Sequence, residues 1–267
     1  MKVITILSFI GGASSALAVS LRRQSDCPAI HVFGARETTA PPGFGSSQLV
    51  VRMITTANSG ATSEAIIYPA SSDPSYAISV SAGIEAVTKQ ATAFHQQCPE
   101  SRIVMVGYSQ GAQIMDDAFC GGPDGTSLNT TMSLVPKEVG NMVAAIIMMG
   151  NPRHVDGLPF NVGTAVEGGF AARPVGFQCP AYASIIQSYC DATDPFCSKG
   201  VDAASHQAYP MKYGQQAFQF VQKKLNATVG TSASNSTRPA SSEGVKVHDI
   251  GFTQLLAATI LALLFMA

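Results

Sequence analysis

Short apolar runs of strand length alternate along the chain with longer stretches in which apolar residues recur every three or four positions. The runs 29–34 (AIHVFG), 64–68 (EAIIY), 102–107 (RIVMVG), 143–149 (VAAIIMM) and 183–188 (ASIIQS) read as strands. Helical period is clearest over 77–97, where Ala77, Val80, Ile84, Val87, Ala91 and Phe94 share one face. Further helices are expected near 46–58, 110–120 and 211–225, with glycines and prolines gathered between the segments, where turns are needed. Alternation of this kind points to a parallel sheet covered by helices. The expected fold is α/β: a three-layer αβα sandwich around a five-stranded parallel sheet, as one domain over 27–226 with no internal repeat.

The pattern changes at both ends. Residues 1–18 carry one lysine, a short apolar stretch and small residues closing on Ala16-Leu17-Ala18, the layout of a cleavable secretory signal. That stretch is too short to span a membrane. Residues 19–26 form a short segment in which the dibasic Arg22-Arg23 offers a second trimming site. At the other end, 250–267 is apolar to its last residue, preceded by the polar spacer EGVKVHD and the small residues Ala240, Ser241 and Ser242. Small site, spacer and apolar tail together form a glycolipid (GPI) anchor signal. A genuine C-terminal membrane helix is its rival, because a tail of about 18 apolar residues approaches spanning length. Between domain and tail, 227–249 reads as a Ser/Thr-rich stalk and anchor spacer. Asn129, Asn226 and Asn235 stand in N-x-[ST] sequons, candidate glycosylation sites in an exported chain. The expected location is extracellular, tethered to the cell surface.

A net charge of −1 with 12% charged residues argues against a nucleic-acid partner, which needs a basic patch. Six cysteines in an exported domain suggest three disulfides, and Cys190 with Cys197 brackets a short loop. A zinc site is the competing use, but no C-x-x-C or closely spaced histidine accompanies them, so no metal is expected.

Candidate chemistry centres on Gly107-Tyr108-Ser109-Gln110-Gly111, which ends an apolar run and opens a helical one. It fits the nucleophile elbow G-x-S-x-G, in which serine sits on a strained turn and the flanking glycines let strand and helix pass closely. A serine hydroxyl attacks only when a base accepts its proton and an acid orients that base. Of five histidines, His206 follows the last strand and precedes the last helix, where Ser, Asp, His order places the base. His154 is a weaker candidate. His31, His95 and His248 read as strand, helix and spacer residues. The acid should fall between Ser109 and His206, and Asp191, Asp194 and Asp202 all qualify. The first two lie inside the Cys190–Cys197 loop, where a disulfide would hold a carboxylate still.

These motifs resemble the cutinase and acetylxylan esterase family of small lidless α/β-hydrolases. GYSQG, CPAIHVFGARETTAPPGFGSS (27–47), GNPRHVDGLPFNVGTA (150–165), ARPVGFQCP (172–180), SYCDATDPFC (188–197) and the nearby His206 carry the resemblance, most closely to acetylxylan esterases. The resemblance implies Ser109 as nucleophile, His206 as general base and Asp194 as orienter. It further implies an oxyanion hole from the N–H groups of Thr38 and Gln110, aided by the Thr38 hydroxyl. Disulfides Cys27–Cys98, Cys120–Cys179 and Cys190–Cys197 follow from it too. Asn151 and Phe196 stand where the family pattern has Asp and Tyr. The expected activity is hydrolysis of short acyl esters on polysaccharide, probed against a cutinase- or lipase-like activity and a non-catalytic wall protein of the same fold. The stretch SKGVDAAS (198–205) offers only Val201 and alanines among polar residues, which favours the first. No cofactor is expected, and the chain is expected to act as a monomer.

Overall fold

In the computed structural model residues 27–124 and 134–233 are described, with side chains followed to Ala227. Six parallel strands form the sheet: β1 Ile30–Ala35, β2 Thr62–Ala65, β3 Arg102–Tyr108, β4 Val143–Met149, β5 Asn161–Gly163 and β6 Ile186–Cys190. Their order is β2-β1-β3-β4-β6-β5. The helices are α1 Gln48–Ala57, α2 Tyr76–Gln97, α3 Gln110–Cys120, α4 Lys137–Gly140, α5 Ala203–Gln207 and α6 Tyr209–Ala233.

Side chains along a strand alternate between faces, and this alternation divides the core in two. Phe33, Ile103, Met105, Ile146 and Met148 pack under Val80, Ile84 and Val87 of α2 and Ile114 and Met115 of α3. Val32, Val104, Val106, Ile147 and Met149 pack on the opposite side against Val50, Val51 and Ile54 of α1 and Ala217 and Val221 of α6. Every residue of β4 is buried, as a central parallel strand covered on both faces requires.

Register sets the site. Ala35 pairs with Gly107, Tyr108 with Met149, and Met149 with Tyr189, so the strands end in line at one edge of the sheet. The chain leaves β1 first toward β2 and later returns to β1's other side as β3. Strand order therefore reverses at β1 and β3, and in such sheets the crevice beyond the carboxyl ends at the reversal is where ligands bind.

The sequence reading differs from the structure at the sheet edges. The sheet has six strands rather than five, because β5, Asn-Val-Gly at the edge, is too short and polar to register as an apolar run. β2 lies at Thr62–Ala65, where Thr62, Ser63 and Glu64 are exposed, and the apolar Ile66 and Tyr68 pack beyond its end. The first part of the 183–188 run is a 3-10 turn, Ala183–Ile185, before β6 begins. α6 continues to Ala233, into the stretch read as stalk. Once nucleated, a helix extends cheaply through residues that would not start one.

Three disulfides join Cys27 to Cys98, Cys120 to Cys179 and Cys190 to Cys197. Asn226 is exposed on α6, whereas Asn129, Asn235, His248, residues 1–26 and the tail 250–267 lie outside the described residues. Among the described residues no helix is long and apolar enough to cross a membrane.

Candidate active site

Ser109 stands between β3 and α3 with φ 53° and ψ −119°, left-handed backbone that a serine adopts only at a cost of about 1–3 kcal/mol. Its neighbours make the strain possible. A Cβ on Gly107 would lie 2.5 Å from the Gly111 carbonyl oxygen and 2.7 Å from Ala112 Cα, and one on Gly111 would collide with the Ala35 carbonyl. The Ser109 N–H donates to the Met149 carbonyl at 2.8 Å, tying the elbow to the end of β4.

From this elbow a hydrogen-bonded chain runs inward. Ser109 Oγ is 2.9 Å from His206 Nε2, and His206 Nδ1 is 2.7 Å from Asp194 Oδ2. The other carboxylate oxygen, Oδ1, accepts the N–H groups of Phe196 at 2.6 Å and Cys197 at 3.2 Å. Asp194 is fully buried, while His206 and Ser109 are 8% and 9% exposed, so the chain opens outward at its serine end. Burial alone would raise the Asp194 pKa. Hydrogen bonds from His206, the Phe196 N–H and the Tyr209 hydroxyl outweigh it and hold the carboxyl below its ordinary range.

The other candidates lie elsewhere. Asp191 shares the disulfide loop but faces away, bonded by Lys212 Nζ at 2.7 Å, Tyr213 Oη at 2.7 Å and Thr164 Oγ1 at 3.2 Å. Burial would lift its pKa, and these donors lower it instead. Asp202 caps α5 by accepting the Ala204 N–H at 3.0 Å. His31 stacks on Phe94 with ring centroids 4.1 Å apart and shares a 2.6 Å bond with Thr62 Oγ1, and burial pushes its pKa down to about 4. His154 is buried away from the serine, and its pKa is likewise lowered by burial.

The serine opens into a cleft of about 1110 Å³ that Thr38, Tyr76, Phe170 and Phe196 help to line. Gln110 is the first residue of α3, so its N–H is one of the donors that a helix start leaves without an internal acceptor. Tyr108 and Phe196, together with Phe170 and Tyr76, which the sequence did not point to, complete the setting. The Tyr108 hydroxyl donates to the His206 carbonyl. The Phe170 ring meets Tyr76 edge-on at 5.6 Å, and the Phe170 N–H donates to the Phe196 carbonyl at 3.1 Å. Phe196 lies 4.6 Å from the His206 ring and is 41% exposed. Neither Phe170 nor Tyr76 belongs to a motif around the serine, so nothing in one sequence points to them. Asn151 is buried instead, donating to Asp116 Oδ2 at 2.7 Å, far from any solvent-facing role.

The arrangement can move a proton from a hydroxyl through an imidazole held by a buried carboxylate, which is the machinery of acyl transfer. The chain as a whole is similar to known proteins. The family described as Cutinase matches residues 26–225. Acetylxylan esterase 2 of Talaromyces purpureogenus is 50% identical over 81% of this chain and 94% of its own length. Cutinase 11 of Verticillium dahliae is 49% identical over 80% of this chain and 76% of its own. Among solved structures, the catalytic core domain of acetyl xylan esterase from Trichoderma reesei superposes with a TM-score of 0.72 at 50% identity, covering 74% of this chain and 99% of that one. With fold and sequence agreeing, the chain belongs to the cutinase family.

Proposed function

We propose that this cutinase-family member, a carboxylic ester hydrolase, cleaves short acyl esters, acetyl above all, from plant cell-wall polysaccharide such as acetylxylan. The observation that carries the reading is the unbroken Ser109–His206–Asp194 chain opening into the cleft. Ser109 Oγ attacks the ester carbonyl while His206 Nε2 takes its proton and Asp194 holds the ring's other nitrogen. The N–H groups of Thr38 and Gln110 stabilise the oxyanion. His206 returns the proton to the departing sugar hydroxyl, leaving an acetyl-serine. Water, deprotonated by the same imidazole, then releases acetate and restores the serine.

Substrate choice rests on the cleft and on relatives that are named acetylxylan esterases. The cleft volume lies at the upper end of what drug-sized ligands occupy, far more than an acetyl group fills, so most of it faces the alcohol side of the ester. Its apolar lining is aromatic, with Phe170 59% exposed, which suits the C–H faces of sugar rings better than a flexible acyl chain. Thr38, Thr39, Ser72 and Asp73 supply polar contacts. Val201, 97% exposed, does not line the cleft among the residues that do. The second reading is a cutinase-type activity on aliphatic esters, favoured by the relative named Cutinase 11.

Specificity constants on acetyl, butyryl and octanoyl p-nitrophenyl esters, with acetate release from acetylated xylan, separate the two. Each methylene seated in a true acyl pocket is worth about 0.8 kcal/mol, so a long-chain enzyme gains about fourfold per added carbon. Here the constant is expected to fall with chain length, with acetate released from the polymer. Preference for octanoyl without acetate release moves the reading to aliphatic esters, and failure of a fluorophosphonate to label Ser109 points to a non-catalytic protein. In the same reading the chain is secreted after loss of residues 1–18, glycosylated at Asn129, Asn226 and Asn235, and tethered by a glycolipid joined to the stalk near Ala240–Ser242, in place of the spacer and the tail 250–267. It works as a monomer, without metal or organic cofactor. Release from cells by a phosphatidylinositol-specific phospholipase checks the tether.

A further inference from the structure

A preformed oxyanion hole is useful only if its donors do not have to be ordered during the reaction. Gln110 is fixed by the start of α3, but Thr38 lies in an irregular segment after β1, half-buried at the cleft, and no secondary structure holds it. The residues just before it provide the rigidity. Arg36 is buried, and its guanidinium donates to backbone carbonyls: Nε to Ala40 at 2.9 Å, Nη2 to Tyr68 at 2.5 Å and to Pro69 at 3.2 Å. The Tyr68 hydroxyl donates back to the Arg36 carbonyl at 2.6 Å. The arginine thereby staples both ends of the 36–40 turn to the segment beyond β2. Glu37 points to the other side, where Oε2 accepts the Ser46 N–H at 2.9 Å and Oε1 accepts the Ser46 hydroxyl at 2.7 Å. Gly45, at φ +53°, leaves room for this contact: a Cβ there would clash with Glu37 Oε2 and lie 2.7 Å from Arg36 Cβ. One more backbone bond, Thr39 N–H to the Ala70 carbonyl at 2.7 Å, closes the turn.

We infer that Arg36 and Glu37 are positioning residues that hold Thr38 from two sides, so that its N–H stands ready for the oxyanion. The inference rests on the esterase reading above and goes beyond it, because neither residue is part of the proton chain. Glu37 shares the cleft with Ser109, and its carboxylate is pinned by the N–H and hydroxyl of Ser46, in the 3-10 turn Gly45–Ser47. A buried guanidinium spent on carbonyls satisfies acceptors that an irregular turn would otherwise leave unpaired.

The test separates oxyanion stabilisation from substrate binding. Trifluoroacetophenone traps the serine because Ser109 Oγ adds to its carbonyl carbon, the C=O π pair moves onto oxygen as an alkoxide, and His206 keeps the proton. Its affinity therefore reads the oxyanion hole directly. Glu37→Ala, Ser46→Ala and Gly45→Ala are expected to lower kcat on p-nitrophenyl acetate by about 10- to 100-fold, less than loss of a whole donor. KM is expected to change less than about twofold, and ketone affinity to fall by the same factor as kcat. Glu37→Gln, which keeps an acceptor oxygen for Ser46, is expected to recover part of the loss. Unchanged kcat and ketone affinity in Glu37→Ala overturn the inference, as does a rise in KM with kcat retained. Should Glu37→Ala fail to fold, Ser46→Ala removes only the hydroxyl donor to Glu37 Oε1 and decides the matter alone. Wild-type turnover in Ser109→Ala would instead remove the esterase reading on which all of this stands.

Discussion

Two buried polar clusters lie behind the same cleft, and they handle charge in opposite ways. In the Ser109–His206–Asp194 chain a single carboxylate is fully buried, its partner is an imidazole, and the last member opens into solvent. In the other cluster three aspartates and two arginines are all buried. Arg173 Nη2 meets Asp116 Oδ1 at 2.6 Å and Asp117 Oδ1 at 3.3 Å, and Arg153 pairs with Asp117 at 3.1 Å and Asp124 at 3.3 Å. Asn151 donates to Asp116, and Gln113 joins Asp124 to the cleft residue Tyr76. The two arginines turn to these carboxylates and to the carbonyls of Gly121, Pro123 and Ala171, so the cluster holds the connections 121–124, 151–153 and 171–173 in place and lies apart from the serine. The first is left unfinished at the serine. Buried charge by itself does not mark chemistry; a proton path with a free end does.

Breaking the open chain gives the largest effect. Ser109→Ala or His206→Ala is expected to lower kcat on p-nitrophenyl acetate by at least about 10⁴-fold and Asp194→Asn by about 10³- to 10⁴-fold, with unfolding free energy nearly unchanged. Steady-state kinetics beside urea melts read both quantities. An Asp191→Asn variant as damaged as Asp194→Asn would contradict the geometry, since Asp191 bonds Lys212 and Tyr213 rather than His206.

Breaking the closed cluster should give the reverse. Arg173→Met leaves Asp116 buried beside an uncompensated charge and removes donors from the Asp116 and Gly121 carbonyls. A loss of about 3–5 kcal/mol of stability is expected, while the molecules that remain folded keep their kcat. A variant with full stability and reduced kcat would make this cluster part of the reaction.

Between the two stands the Cys190–Cys197 loop, which carries Asp194. In a chain-entropy account a loop this short is worth about 2.5 kcal/mol. Replacing both cysteines by serine is expected to cost about that in stability. The loss in kcat should exceed what unfolding explains, because the Phe196 and Cys197 N–H groups that fix the carboxylate belong to the same loop. Activity that tracks the folded fraction alone would show that the loop only stabilises.

How far the sequence foretold these regions follows from the range of the interactions. The elbow is local: Gly107, Ser109 and Gly111 are adjacent in sequence, and the strain and close packing that define it act within those few residues. Central strands such as β3 and β4 are legible because burial on both faces leaves an unbroken apolar run. Edge strands β2 and β5 are half-solvated, and their sequences resemble loops. Chain order admits Asp191, Asp194 and Asp202, and the disulfide loop favours the first two without separating them. Which one reaches the imidazole is fixed by how the disulfide loop packs on α6, a long-range fact. The ionic cluster was invisible for the same reason, since Asp116, Asp124, Arg153 and Arg173 each look like ordinary surface residues until the fold brings them together. Phe170 and Tyr76 meet across the cleft from distant segments and leave no local pattern.

The smallest expected effect concerns the charge balance of the closed cluster. Three carboxylates against two guanidiniums leave one negative charge in excess if all are ionised. Asp117 is a carboxyl whose surroundings favour a proton. Its burial, reinforced by a hydrogen bond with Asp124 and by the nearby charges of Asp124 and Asp116, raises its pKa well above the ordinary carboxylate value against the pull of Arg153. Among the described residues its Oδ2 meets no N–H or O–H donor, and a proton shared with Asp124 supplies one. The sign follows from linkage. Below the unfolded pKa both states hold the proton, and the contribution to stability is fully present. As pH rises the unfolded chain releases it first, so stability declines until the folded carboxyl ionises in turn. Asp117→Asn keeps the shape and cannot ionise. Its unfolding free energy from urea melts at pH 5, 7 and 9 is therefore expected to fall less steeply than that of the unaltered protein over the same window. Parallel profiles would mean that Asp117 is ionised in the fold, and the closed cluster would then hold its excess charge without a proton.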